Sequence, residues 1–123
     1  MREEEPIDLQ LGKTSLWDPQ FRILTLSGDP LDTGHELAHV RLGHTHSMGS
    51  ILGDLVEERE AWKEALRRIS PEEIKVSQVS DSLNTYLEEV GKRYGYGSSQ
   101  YQMGSKMVGE VVEYAKKRKK EAI

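Results

Sequence analysis

The N-terminal part of the chain alternates apolar and polar positions. In the segment 6–11, PIDLQL, every second residue is apolar, which is typical of a half-buried strand. The segment 21–26, FRILTL, is rich in strand-forming residues. Between them, WDPQ at 17–20 predicts a turn, because the proline ring fixes φ. We therefore expect the two strands to form a small antiparallel hairpin or sheet.

From about residue 32 onward, the apolar positions follow a helical period. A first helix of about ten residues should begin near Asp32 or Thr33, either of which can cap it, and end at Gly43. A second helix is predicted from about Ile51 to Ile69. The loop-like segment 44–50, HTHSMGS, separates the two helices.

A fresh helical start is predicted at Ser70 and Pro71, where serine can cap and proline suits the first turn. The helical pattern then runs to Tyr94 with a break near Ser80, and GYGSS at 95–99 predicts a turn before a last helix. The apolar stripe of this C-terminal part consists of Leu83, Leu87, Val90, Met103, Met107 and Val111. The pattern as a whole indicates a mainly helical α+β fold.

Composition leaves the predicted fold unchanged and narrows the classes of function that remain. A length of 123 residues fits one domain, which we divide into a core at 1–69 and a helical C-terminal part at 70–123. The net charge of −4 argues against a nucleic-acid binder, and the basic run KKRKK at 116–120 is more typical of a solvated helix end. The chain has no apolar run of ~20 residues and no signal-like start, so we expect a cytoplasmic protein without a membrane partner.

The segment 33–44, TGHELAHVRLGH, holds three of the four histidines, and the chain has no cysteine. A metal site must therefore use histidine and carboxylate side chains. His35 and His39 are four residues apart and project about 40° apart from one helix face, so both imidazoles can reach one ion. Glu36 lies about 100° further round and can reach a metal-bound water. This is the H-E-x-x-H pattern of zinc peptidases, in which the glutamate is the general base.

A third ligand is predicted from the second helix. Glu58 lies three residues after Leu55 and four before Trp62, within the apolar stripe of that helix. Glu57 lies at the edge of the stripe, and Glu60 lies opposite, towards solvent. A buried carboxylate is costly unless it is paired or bound to a metal, so we expect Glu58 to join the two histidines on a Zn²⁺ ion.

Other arrangements remain open. Glu58 can instead pair with an arginine such as Arg41 or Arg59. His44 and His46 miss by one residue the spacing of a third metzincin histidine, and we interpret them as groups behind the ligands, substrate-facing donors or plain loop residues. The candidates for the third ligand besides Glu58 are Glu57, His44 and His46.

These residues resemble the gluzincin branch of the zincin metallopeptidases, and most closely the small ImmA/IrrE-type proteases. HELAHVRLGH matches their H-E-L-x-H helix, and Glu58 with Ala61 fits the E-x-x-A of their downstream helix. The resemblance implies His35, His39 and Glu58 as zinc ligands and Glu36 as general base. Trp62 stands where relatives have a small polar residue that orients a ligand. Proteins of this type act on a DNA-binding repressor, which implies a regulatory protein as substrate by analogy.

The predicted function is therefore hydrolysis of a peptide bond by zinc-bound water, with a peptide or protein as substrate. Candidates for the donor that stabilises the oxyanion are His44, His46 or a tyrosine from 94–101, and FRILTL is the expected edge strand for the substrate. The alternative is a non-catalytic interaction module stabilised by the metal. The C-terminal helices should close over the metal helix as a lid, or over a second copy of the chain in a homodimer.

Overall fold

A computed structural model describes residues 7–13, 15–44 and 50–122. Within these residues the chain forms a three-stranded sheet and four α-helices, and a short 3₁₀ turn precedes the third helix. The elements are β1 (Asp8–Leu11), β2 (Leu16–Asp18), β3 (Ile23–Leu26), α1 (Pro30–Leu42), α2 (Ile51–Arg68), the 3₁₀ turn (Pro71–Glu73), α3 (Val76–Tyr94) and α4 (Ser99–Lys119). The predicted mainly helical α+β fold is confirmed.

The sheet is connected differently from the predicted hairpin. Its strand order is β1-β3-β2. β1 runs parallel to β3, with Leu9 opposite Leu24, and β2 runs antiparallel to β3, with Trp17 also opposite Leu24. The predicted antiparallel pairing of 6–11 with 21–26 is therefore wrong, because β2 reverses the chain between them and becomes the antiparallel partner. FRILTL contributes the central strand, so its predicted role as an edge strand is wrong too.

The tight turn of the sheet comes two residues later than predicted. Trp17 and Asp18 belong to β2, and the Asp18 Oδ1 atom accepts hydrogen bonds from the backbone N–H groups of Gln20 (3.0 Å) and Phe21 (3.1 Å). Arg22 closes the turn with a φ of 57°, a left-handed conformation that is uncommon outside glycine. The Asp18 side chain thus stabilises the turn, and β3 begins only at residue 23.

Helix α1 begins at Pro30, earlier than predicted, with Asp29 as its N-cap residue. Asp32 does not cap the helix. Its Oδ2 atom accepts hydrogen bonds from the Ser15 backbone N–H (2.8 Å) and the Ser27 hydroxyl (3.0 Å). These bonds tie the two ends of the β2–β3 hairpin to the first turn of α1, so the sheet and the helix hold a fixed relative position.

The other helix ends follow the sequence more closely. Gly43 ends α1 as predicted, with a φ of 71°. Ser50 caps α2, and its side chain accepts a hydrogen bond from the Gly53 N–H at 3.0 Å. Helix α3 runs through Ser80 without the predicted break, because the interruption lies at 74–75, between the 3₁₀ turn and the start of α3.

The main apolar core lies between α2, α3 and α4. Helix α4 approaches closely at Gly104, where a Cβ atom would lie 3.0 Å from the side chains of both Leu55 and Leu87. The neighbouring Met103 is exposed, so its predicted place in the apolar stripe is wrong. Among the described helices, none combines the length and apolar character that a bilayer crossing requires. The fully buried members of the core include Leu31, Leu55, Leu66, Ile74, Leu83, Val90 and Val111.

The C-terminal helices support α2 and do not form the predicted lid over α1. α3 and α4 pack mainly against each other and against α2, whereas α1 packs on α2 and the strands β2 and β3. The start of α3 is joined to the N-cap residue of α1, because Asp29 accepts hydrogen bonds from Lys75 (3.3 Å) and Gln78 (3.1 Å). Leu31 of α1 also belongs to the main apolar core, together with residues of α3.

The basic end of α4 has a structural partner. The Arg118 guanidinium donates to the backbone carbonyls of Leu66 and Ile69, both at 2.8 Å, and the Lys119 ammonium donates to that of Glu72 at 3.1 Å. Carbonyl groups at a helix end lack partners within the helix. Part of KKRKK therefore caps α2, in addition to the predicted solvated role.

Candidate metal centre

Three side chains predicted as ligands meet between α1 and α2. The Nε2 atoms of His35 and His39 lie 3.2 Å apart. Each faces one oxygen of Glu58, at 2.8 Å from His35 to Oε1 and 2.9 Å from His39 to Oε2. All three residues are buried, with 1% of His39 and 2% of Glu58 exposed. Within the described residues, this is the group of histidine and acidic side chains whose ligand atoms can hold a metal ion.

The spacing of these atoms suits a small divalent cation. Tetrahedral zinc with bonds of about 2.0–2.1 Å places its ligand atoms roughly 3.3 Å from one another. The observed separations of 2.8, 2.9 and 3.2 Å lie at or slightly below that value. Two imidazole nitrogens and a carboxylate are also a donor set of catalytic zinc sites. The residues present therefore fit such an ion with small adjustments of their side chains.

Glu58 is held as a carboxylate by its two imidazole partners. Burial raises its pKa, but hydrogen bonds from His35 and His39, together with their charges, outweigh burial and hold the pKa well below its usual range. Among the ion pairs of the described residues, none joins Glu58 to an arginine, and Arg41 donates instead to Glu64 at 3.2 Å. The Nε atom of Arg59 is buried without a hydrogen-bond partner. Glu58 thus presents a charged oxygen ligand to the space between the histidines.

Glu36 stands beside the donor atoms, on the side of the sheet. Its Oε2 atom accepts a hydrogen bond from the Trp17 backbone N–H at 3.0 Å, and its Oε1 atom lies 3.7 Å from the Nδ1 atom of His35. Burial raises the pKa of Glu36 to about 7, and the charges of Glu58 and Asp32 add to the rise, against the lowering effects of His39 and the Trp17 N–H. The edge strand β2 therefore fixes this carboxyl group, which the sequence could not reveal.

Trp62, which stands where the resemblance predicts a small polar residue, contacts the predicted ligand His35 through its ring. Its ring stacks on the His35 imidazole, with centroids 4.0 Å apart and planes 6° from parallel. The indole Nε1 donates to the Ser82 hydroxyl at 3.3 Å, so α3 fixes the tryptophan in turn. A flat surface beneath the imidazole restricts its rotation. Trp62 can thus orient His35 by packing, where a polar residue would do so by hydrogen bonding.

Tyr86 on α3 is a neighbour of the centre that the sequence analysis missed. Burial raises the pKa of its phenol, and the negative charge of the nearby Glu58 carboxylate raises that pKa further. The predicted tyrosines lie elsewhere: the Tyr96 hydroxyl donates to Glu88, and the Tyr101 ring packs edge-on against Tyr96. The position of Tyr86, three residues after the buried Leu83, was the available signal, because such spacing keeps a residue on the packed face.

His44 folds back onto the centre, and Glu60 contacts it from α2. The Nδ1 atoms of His39 and His44 lie 3.0 Å apart, and the His44 Nε2 atom lies 3.1 Å from Oε1 of Glu60. His44 is buried behind His39 and is not in the donor group. Glu57 is also buried but outside that group, and His46 lies outside the described residues.

A groove of about 560 Å³ lies beside His44 and Glu60, the residues behind the donor group. His44 and Glu60 line it together with Leu42, Lys63 and Tyr114, among others. His35, His39 and Glu58 do not line it. The groove thus reaches the residues behind the donor group and not the donor atoms.

Comparison of the chain with protein-family models, with curated proteins and with solved structures finds no match.

Proposed function

We propose that the protein is a zinc-dependent metallopeptidase of the gluzincin kind, with His35, His39 and Glu58 as ligands. The observation that carries the proposal is the convergence of two Nε2 atoms and one carboxylate within 3.2 Å of one another in a buried position. Burying these groups together costs free energy that a bound cation offsets. Zinc is favoured among divalent ions because H-E-x-x-H with a glutamate is a donor set of zinc peptidases.

Three protein ligands leave room for a fourth group, as catalysis at such a site requires. When bound, zinc supplies a Lewis acid that polarises a peptide carbonyl and makes water more acidic. Glu36 is the group that takes the proton of the attacking water and passes it to the leaving amine. The Trp17 N–H holds one oxygen of Glu36, which leaves the other free to exchange a proton.

The substrate in this proposal is a peptide or a protein segment in extended conformation. β2 is the edge strand that contacts Glu36, through the N–H of Trp17. An extended peptide can add to such an edge by backbone hydrogen bonds. Tyr86, whose phenol lies near the Glu58 carboxylate, is the candidate donor to the developing oxyanion.

The decisive experiment measures metal content and hydrolysis together. We expect one zinc per chain in the purified protein, and its loss in a His35→Ala variant. A Glu36→Gln variant should keep the zinc and lose hydrolysis of an unfolded protein substrate, because a glutamine can still accept from the Trp17 N–H but cannot take up the proton. If Glu36→Gln loses zinc as His35→Ala does, Glu36 is a ligand and this mechanism is wrong.

The depth of the donors supports a second candidate, a metal-stabilised interaction module without catalysis. His39 and Glu58 are nearly inaccessible to solvent, as is usual for a structural ion. This candidate predicts bound zinc, no hydrolysis of any peptide by the wild type, and a lower melting temperature after chelation. Hydrolysis that depends on Glu36 would exclude it.

A further inference from the structure

We infer that His44 and Glu60 are positioning residues for His39: together they fix the tautomer in which its Nε2 atom can bind the metal. The inference rests on the metal site proposed above. His39, His44 and Glu60 contact one another in a line. The line begins at the donor group and ends at Glu60, whose side chain is 51% exposed. Neither residue belongs to the donor group itself.

The assignment follows from counting protons along this line. The Glu60 carboxylate can only accept, so the His44 Nε2 atom at 3.1 Å must carry hydrogen. A neutral His44 then has a bare Nδ1 atom, which accepts from Nδ1–H of His39 at 3.0 Å. When no cation is bound, hydrogen on the Nε2 atom of His39 faces the Glu58 carboxylate at 2.9 Å, and metal binding displaces it, because a ligating imidazole must be neutral. The neutral His39 that then keeps its hydrogen on Nδ1 has a bare Nε2 atom. That lone pair points to the space shared with His35 and Glu58.

The backbone explains why His44 can reach this position. Gly43 adopts a φ of 71°, and the His44 N–H donates to the His39 carbonyl at 3.0 Å, while the Gly43 N–H donates to the Val40 carbonyl at 3.1 Å. This pattern of bonds at a left-handed glycine reverses the chain at the helix end. The His44 ring therefore returns beside the His39 ring, with centroids 5.1 Å apart.

The first test compares zinc affinities by competition with a chelator. His44→Phe keeps an aromatic ring but cannot accept a hydrogen bond, and we expect it to weaken zinc binding about 10- to 100-fold, the range for partners behind a ligand. Glu60→Ala should weaken it less. Lys63→Ala, at an exposed position in the same groove, is the matched control and should leave the affinity unchanged.

The double variant separates a hydrogen-bonded line from a simple charge effect. If Glu60 acts through His44, adding Glu60→Ala to His44→Phe should cause no further loss of affinity. If Glu60 acts only through its negative charge, the two losses should add. Additive losses, or an unchanged affinity of His44→Phe, would overturn the inference while leaving the metal site intact.

The second test observes the hydrogen bond directly in the zinc-loaded wild type. A ¹⁵N spectrum should show a scalar coupling between the Nδ1 nuclei of His39 and His44, which exists only across an N–H···N bond. The coupling should vanish in His44→Phe. A folded, zinc-loaded protein without the coupling contradicts the inference, and a wild type that takes up no zinc contradicts both this inference and the proposed function.

Discussion

Helix α2 packs against two very different surfaces. Towards α1 it presents the small residues Ala61 and Ala65, which form a separate cluster with Ala38, beside the charged donor group. Towards α3 and α4 it presents large side chains such as Leu55 and Leu66, which belong to the main core. A buried methyl group contributes only about 0.8 kcal/mol, so the alanine contact supplies little hydrophobic free energy. The main core therefore supplies most of the hydrophobic stabilisation. From α1 it includes the buried Leu31, whereas the rest of the contact between α1 and α2 is made by small or polar residues.

The largest expected effect comes from removing α3 and α4, the helices that form the main core with α2. A fragment of residues 1–69 lacks α3 and α4 and exposes the apolar face of α2, so it should be insoluble or metal-free. Solubility and zinc content of the fragment check this, with the full chain purified in parallel as control. A soluble, zinc-loaded fragment would show that the α1–α2 side is self-sufficient.

A substitution in the main core should lower the free energy of unfolding more than a substitution in the alanine cluster between α1 and α2. Leu83→Ala empties a fully buried position of the main core and should lower the free energy of unfolding by about 2–5 kcal/mol. Ala38→Gly, in the alanine cluster, should lower it by about 1 kcal/mol, mostly through helix propensity. Urea unfolding measures both, and equal costs would remove the distinction between the two surfaces.

Metal binding should depend on the polar residues between α1 and α2. Glu58→Gln replaces a charged ligand with a neutral amide and should weaken zinc binding more than about 100-fold, beyond the range for groups behind a ligand. Glu60→Gln keeps an oxygen that can accept from His44 and should change the affinity little. Chelator competition measures both variants. Equal losses would show that Glu58 is not the third ligand.

The smallest expected effect is local. Chelation of the zinc-loaded protein should speed backbone hydrogen exchange in α1, because its histidines lose their shared cation, while α3 and α4 keep their protection. Exchange measured by mass spectrometry with and without chelator provides the check. Equal acceleration in all helices would mean that the two sides unfold together.

The sequence by itself determined features that depend on neighbours within a few turns of chain. Helical spacing placed His35 and His39 on one face, and the position of Glu58 within the apolar stripe indicated that it is buried. Gly43 ends α1 as predicted, since a left-handed residue at a helix end is a local preference of glycine. The mainly helical α+β class followed from the same periodicities.

Only the tertiary structure decided the features that join distant segments. The order β1-β3-β2, the stacking of Trp62 on His35 and the approach of Tyr86 to Glu58 bring together residues far apart in sequence. Such contacts leave no periodic trace in the chain, because many pairings of the same faces satisfy the same pattern. The environment of Glu36 belongs to this class: the motif placed it beside the ligands, but the N–H that holds it comes from the edge of a sheet.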